Sequence, residues 1–199
     1  MIDRHNVCLV IGALLAATNA VACAGATDDG DPAAADEESL GEVASAWQGN
    51  CVGCNFNGMG LSHESFRGLD VSKATFVGAG LFHASFYGAT ANGASFRNTQ
   101  LSSSDFYGAT ANNADFRDAQ LFDVRMIGAT ITNANFQGAR LIRLNAYGAN
   151  LARADFRNAD LRGASFHGAD LRFAKFCGAI IDSSTDFEGA DRRSATFCP

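Results

Sequence analysis

A five-residue period dominates this sequence. An apolar residue recurs at every fifth position from Phe56 to Ile181, and it is bulky in 23 of the 26 repeats and Ala in three. Ala stands two residues before it in 18 of the 26 repeats. On a larger scale, residues 85–101 recur at 105–121 with 12 of 17 positions identical, an offset of 20 residues. A helical apolar face returns about every 3.6 residues and strand faces alternate every two, so neither element produces this period. The chain must therefore turn once in every pentapeptide.

We call the recurring apolar residue of each pentapeptide position i. Strand geometry points residues i and i−2 to the same side of the chain, so both are predicted to face a common interior. Four pentapeptides would close one coil of 20 residues, and coils would stack about 4.8 Å apart. Residues 20 apart then form columns, of which two are an aromatic and an aliphatic ladder: Phe56, Phe76, Phe96, Phe116, Phe136, Phe156 and Phe176, and Leu61, Leu81, Leu101, Leu121, Leu141, Leu161 and Ile181.

The remaining positions support the same geometry. A third column contains Phe106 and Phe166 but also the small Ala146. In that repeat, position i−2 is the larger Leu144 instead of the usual Ala. The exchange keeps the buried volume nearly constant, as a close-packed interior requires. Corners need residues that tolerate unusual backbone angles. Such residues occupy position i+2 of several repeats: Gly88, Asn98, Gly108, Asp118 and Gly128.

The segment ADFRNADLRGASFHGADLRFAKF, from Ala154 to Phe176, resembles the pentapeptide repeat family, whose consensus is Ala-(Asp/Asn)-Leu-x-x. The resemblance covers residues 51–199. It implies an all-β fold, a right-handed quadrilateral β-helix or solenoid, for which this length would supply about seven coils. The right hand is implied by the resemblance alone, because a period does not specify handedness.

Residues 1–23 are predicted to be a bacterial signal peptide of lipoprotein type. Val7 to Ala17 is an apolar run of h-region length. The following Ala-Val-Ala-Cys resembles a lipobox with Cys23 as the lipidated residue, although Ala20 stands where Leu is expected. The prediction is an exported cell-envelope lipoprotein that contacts the membrane only through its lipid anchor. The alternative is ordinary signal cleavage and a periplasmic or secreted soluble protein.

Two short segments separate the signal peptide from the repeats. Residues 24–38 are acidic and Ala-rich, which predicts a disordered linker. Residues 39–50 begin with a capping box formed by Ser39 and Glu42 and continue with apolar residues at helical spacing. A short helix here would cover the open edge of the first coil. The alternative is a polar linker with Trp47 exposed.

The period shifts by one residue near the C-terminus. After Ile181 the apolar positions continue at Phe187 and Phe197, with Arg192 between them. This shift predicts a one-residue insertion within residues 182–186 that bulges a corner without ending the stack. A charged residue at position i predicts that the last coil is open to water on that side.

Four cysteines lie within the repeats. Cys177 and Cys198 are predicted to occupy one outward column on adjacent coils, within reach of a disulfide. Cys51 and Cys54 form a C-x-x-C at the first coil, where a second structural disulfide is predicted. A zinc site using all four is excluded, because the pairs would lie about six coils, roughly 30 Å, apart. An oxidising compartment fits both pairs.

The sequence contains no recognisable enzyme site. No nucleophile–base pair, Gly-rich phosphate loop or paired carboxylates stand out, so no catalytic, cofactor-binding or metal-binding residue is predicted. His63 and His83 share a column, but two ligands are too few for a metal site.

Outward columns supply a candidate partner surface. Aromatic residues recur there on two neighbouring faces, which suits binding to a protein or glycan, or self-association into a homodimer. The alternative is that the columns repeat through duplication and that stacked aromatics merely stabilise the coils. The residues concerned are Tyr87, Tyr107, Tyr147, Phe82 and Phe122.

Charge is divided unevenly along the chain. The net charge is −6, yet residues 24–50 contain seven acidic and no basic residues, while residues 51–199 contain 13 acidic and 14 basic residues. Some proteins of the family inhibit DNA gyrase by imitating acidic duplex DNA, and a near-neutral rod lacks the necessary field. Nucleic-acid binding is equally unsupported.

These observations predict a non-enzymatic exported scaffold or protein-binding module for an unidentified protein or envelope component. The alternatives are a DNA-mimicking gyrase inhibitor and a redox or metal protein built on Cys51 and Cys54.

Overall fold

The computed structural model describes residues 50–198. The predicted signal peptide, Cys23, the acidic linker and residues 39–49 of the predicted capping helix lie outside these described residues. Within residues 50–198 the chain forms neither a helix nor a continuous strand. Each β contact is an isolated parallel bridge, and the bridges run from Asn55↔Thr75 to Lys175↔Thr196. No helix in this part of the chain could cross a membrane.

The bridges confirm the 20-residue register. Each pentapeptide contributes one bridge at position i−1, so four bridges mark the four sides of every coil. Hydrogen bonds flank each bridge: the N–H of Phe56 donates to the carbonyl of Thr75 at 2.7 Å, and the N–H of Thr75 donates to the carbonyl of Cys54 at 2.8 Å. Stacked coils thus satisfy each other's backbone groups without a long strand on any side.

The corners are tight turns with one residue in the left-handed conformation. The N–H of Met59 donates to the carbonyl of Phe56 at 3.2 Å, and the same i to i+3 bond recurs along the chain. Positive φ occurs at position i+2 and not at i+1, which is the pattern of a type II turn. The predicted corner residues, including Gly88 and Asn98, have this φ. Bulky residues are forced into it as well, Phe173 with φ 62° among them.

Positions i and i−2 form the core, as predicted. Phe96 and Phe116 stack with ring centroids 4.9 Å apart and planes within 6°. Phe106 belongs to the opposite column and meets Phe96 edge-on at 5.8 Å and 83°. Two aromatic ladders therefore interlock edge to face across the interior, a geometry that aromatic pairs prefer.

The one-residue insertion is confirmed, but its position differs from the prediction. The bridge register changes from 20 at Asp160↔Ile180 to 21 at Ser165↔Asp186. Ile181 was expected to extend the Leu ladder and is instead 48% exposed. The turn that follows begins at Asp182, whose carbonyl accepts the N–H of Thr185. The prediction for Ile181 is wrong because the extra residue moves position i of this coil to Asp182.

Candidate functional site

One outward face carries aromatic side chains at position i+1, which stack in two pairs with Ile127 between them. Tyr87 and Tyr107 lie parallel with centroids 5.2 Å apart, and Tyr147 stacks on His167 at the same distance. The three tyrosines are 36%, 40% and 55% exposed, respectively. We call this row, Tyr87 to His167, the tyrosine face. The structure therefore brings together the tyrosines that the sequence assigned to the partner surface.

Both faces of the Tyr87 ring are covered by neighbouring side chains. Tyr87 is covered on one side by Tyr107 and on the other by the guanidinium of Arg67, which lies 4.1 Å from its centroid. A sugar ring would need a free aromatic face to stack on, and the faces of Tyr87 are already occupied. Tyr87 is nevertheless 36% exposed, and an exposed tyrosine with covered ring faces suits a protein partner.

The neighbouring face contains the other two predicted residues, but they do not form a ladder. Phe82 is 38% exposed, whereas Phe122 is partly buried beneath the guanidinium of Arg140, 4.7 Å from its centroid. Ser102 occupies the coil between the two phenylalanines, so they lie two coils apart in the register. Phe82 and Phe122 therefore add two separate apolar side chains beside the tyrosine face and do not form a continuous surface.

Five arginine–aspartate pairs lie at other outward positions of the rod. The Asp at position i−1 and the Arg at i+1 meet side by side, and in four of the five pairs the residue between them is buried. In one pair, Arg162 Nε and Nη2 donate to the two oxygens of Asp160 at 2.9 and 2.7 Å. The sequence pattern that could have predicted these pairs is an Asp-x-Arg tripeptide centred on position i. The pairs are Asp115–Arg117, Asp155–Arg157, Asp160–Arg162, Asp170–Arg172 and Asp191–Arg193.

These pairs make an acid-dependent contribution to stability. The side-chain hydrogen bond from Arg193 lowers the pKa of Asp191 to about 2. Corresponding bonds lower the pKa values of Asp160 and Asp170. Because an Asp in an unfolded chain has a pKa of about 3.9, the contribution of Asp191 is complete above that value and is lost as the pH falls towards 2.

We therefore expect Asp191→Asn to flatten the fall in melting temperature between about pH 4 and pH 2. Arg193→Gln should flatten it similarly, because either change removes the same pair. The melting temperatures can be measured by circular dichroism at half-unit pH intervals. Unchanged pH profiles for both variants would contradict the assignment.

A second group of side chains continues the tyrosine face at its C-terminal end. His167 Nδ1 lies 3.6 Å from Asp186 Oδ2 and 3.9 Å from Glu188 Oε2. Sequence reasoning missed this group because it crosses the register shift. Across the shift one coil contains 21 residues, so the residue stacked next to His167 is Glu188. Applying this longer register to the sequence would have predicted the contact.

The predicted histidine pair and the two predicted cysteine pairs are each in contact in the structure. The rings of His63 and His83 stack with centroids 5.0 Å apart. Each predicted cysteine pair lies at disulfide-bonding distance, with Cα separations of 5.4 Å for Cys51 and Cys54 and 4.5 Å for the C-terminal pair, Cys177 and Cys198. Cys51 and Cys54 occupy positions i and i−2 and are buried, so they offer little access to a redox partner.

The repeats match a known family of proteins. A family model described as pentapeptide repeats matches residues 79–118, 119–158 and 147–181, just over half of the chain. No curated protein matches the sequence.

Several solved structures are similar to this chain. One is HetL, a pentapeptide repeat protein involved in heterocyst differentiation regulation in the cyanobacterium Nostoc sp. strain PCC 7120, with 26% identity over 71% of this chain and 75% of that chain and a TM-score of 0.36. The trypsin-treated form of QnrB1, a plasmid-mediated fluoroquinolone resistance protein, is 16% identical over 75% of this chain and 86% of its own, with a TM-score of 0.49. A pentapeptide repeat protein from the Arabidopsis thaliana thylakoid lumen is 27% identical over 55% of this chain and 69% of its own, with a TM-score of 0.27.

Proposed function

Because this chain belongs to the pentapeptide repeat family, whose fold is a right-handed β-helix, we propose that it is a non-enzymatic exported scaffold that binds a protein of the cell envelope. Proteins of the family are generally structural or binding modules. The rod comprises about seven coils. Its rigid side walls hold outward residues at fixed spacing, which is what a recognition surface requires.

The tyrosine face is the observation that carries this proposal. It concentrates exposed aromatic side chains in one row, whereas Asp–Arg pairs on other outward positions satisfy each other's charges. Tyrosine is enriched at protein interfaces because it combines a large apolar ring with a hydrogen-bonding hydroxyl. The occupied ring faces of Tyr87 favour a protein over a glycan as the partner.

The cell envelope is proposed as the location from the N-terminal sequence and the cysteines. Cys23 would carry the lipid, and the acidic linker would tether the rod to the membrane. Two disulfides, Cys51–Cys54 and Cys177–Cys198, would form in an oxidising compartment.

Surface charge supports this proposal over a DNA mimic that binds gyrase. A mimic needs a continuous acidic field, and five of the aspartates in the described rod each pair with an arginine two residues away. An exported protein would also be separated from a cytoplasmic topoisomerase.

Site-specific photocrosslinking in cells tests the partner surface. A crosslinking amino acid at position 107 should give a discrete adduct with an envelope protein, and the same probe at Arg97, on the opposite side of the rod, should not. Replacing Tyr87 and Tyr147, the other two tyrosines of this face, by Ser should remove the adduct. Equal crosslinking from both faces, or an adduct that survives these replacements, would contradict the proposal.

Mass spectrometry of the mature protein tests the location separately. We expect a diacylated or triacylated Cys23 at the N-terminus and no thiol that reacts before reduction. An intact Met1 with four reactive thiols in the repeats would overturn the envelope assignment while leaving the partner surface open to its own test.

A further inference from the structure

Three side chains with metal-binding groups converge on the last two coils. Nδ1 of His167, an oxygen of Asp186 and an oxygen of Glu188 all lie within 4.8 Å of one another. The 21-residue register sets the two carboxylates directly beside the histidine, because Asp186 bridges Ser165 and Glu188 follows two residues later. A modest inward movement of these side chains would bring all three ligand atoms to one cation.

Neighbouring contacts restrict two of the three side chains. The imidazole of His167 packs flat on Tyr147, with the planes within 4°. One oxygen of Asp186 accepts the backbone N–H of Glu188 at 2.7 Å, and the other accepts the hydroxyl of Ser165 at 3.3 Å. Contacts of this kind orient ligands before a metal binds and lower the entropic cost of binding.

The charge of this group differs from that of the Asp-x-Arg pairs. The Asp residues of the Asp-x-Arg pairs are neutralised by an adjacent guanidinium. Asp186 and Glu188 have no ion pair with Lys or Arg within residues 50–198, and their only charge partner there is His167. Two carboxylates therefore lie beside one imidazole, and their oxygen and nitrogen atoms are possible ligands for a cation.

We propose that His167, Asp186 and Glu188 bind a first-row divalent metal ion. One imidazole nitrogen and two carboxylate oxygens are a donor set that Zn²⁺ accepts, with remaining positions open to water. The ion would link His167 on one coil to Asp186 and Glu188 on the next. It would therefore hold the terminal coil against fraying, because a ligand that binds only the folded state stabilises that state.

Calorimetric titration with Zn²⁺ tests the site in the untagged mature protein, with its disulfides intact and after dialysis against EDTA. One equivalent should bind and raise the melting temperature. His167→Gln and Glu188→Gln should each weaken binding by at least about tenfold and abolish the thermal shift. Glu188 is suited to this test because its side chain is 82% exposed, so its replacement leaves the core intact.

His83→Gln is the matched control, since it removes a stacked surface histidine of the first coils. Its Zn²⁺ affinity should equal that of the unaltered protein. The proposal is overturned if His167→Gln and Glu188→Gln bind Zn²⁺ normally, if only His83→Gln loses binding, or if the unaltered protein binds no stoichiometric Zn²⁺. His167 also ends the tyrosine face. Crosslinking from position 107, three coils away in the register, tests the partner surface separately.

Discussion

Replacing Phe116 by Ala should lower the free energy of unfolding by roughly 3–5 kcal/mol, the range measured for large-to-small changes in protein cores. Phe116 is fully buried and stacks between Phe96 and Phe136 at 4.9 and 4.8 Å. Phe106 and Phe116 also meet edge to face, with their centroids 6.0 Å apart. The change would therefore open a cavity at the point where the two aromatic ladders interlock, and rigid coils above and below would limit its collapse.

Urea denaturation followed by circular dichroism measures this loss, and Tyr107→Ala provides the control. Tyr107 also stacks on an aromatic ring 20 residues away, but it lies outside the coil and is 40% exposed. Its replacement should cost well under half as much, because little apolar area returns to water. Similar losses for the two variants would mean that stacking along the columns, rather than burial, dominates the stability of the rod.

Leu144→Ala should be almost as destabilising, by about 2–5 kcal/mol. Leu144 and Ala146 are both buried, and the Leu occupies position i−2, where most repeats have Ala. It fills the space left by the small Ala146 in a column that otherwise contains large side chains. Truncating Leu144 leaves both positions small and creates a void that neighbouring coils cannot fill.

Ala146→Phe provides the reciprocal test. Alone it should also destabilise, by about 1–3 kcal/mol, because Leu144 already occupies the space. Combined with Leu144→Ala it restores the arrangement of the other Phe repeats, so the double variant should be more stable than either single variant. Chemical denaturation of the four proteins gives the coupling energy. Additive losses would show that the two side chains do not share one volume.

The interior of the rod could be predicted almost entirely from the sequence. Phe96 over Phe116 and the burial of Ala at i−2 follow from the period, because each interior residue meets its own repeat 20 positions later. Ile181 was the exception, since a sequence offset does not show where within a corner the extra residue is placed. Even there, the existence of the insertion was evident from the positions of Phe187 and Phe197.

The outer surface was predicted less completely. The sequence identified Tyr87, Tyr107 and Tyr147 as one column, but it did not show that Arg67 and Tyr107 cover the faces of Tyr87. Outward side chains choose among rotamers that the period does not constrain, and their contacts depend on the particular neighbour in the next coil.

The sequence by itself determined the size of the coil, the inward and outward positions, and the columns in which residues recur, because a strict period with buried Phe and Ala permits one register. Only the tertiary structure decided how the two Phe ladders interlock, which ring surfaces remain exposed, and that His167 meets Asp186 and Glu188. These features depend on side-chain orientation across coils and on a local change of register. Both are settled by packing between coils rather than by the repeat itself.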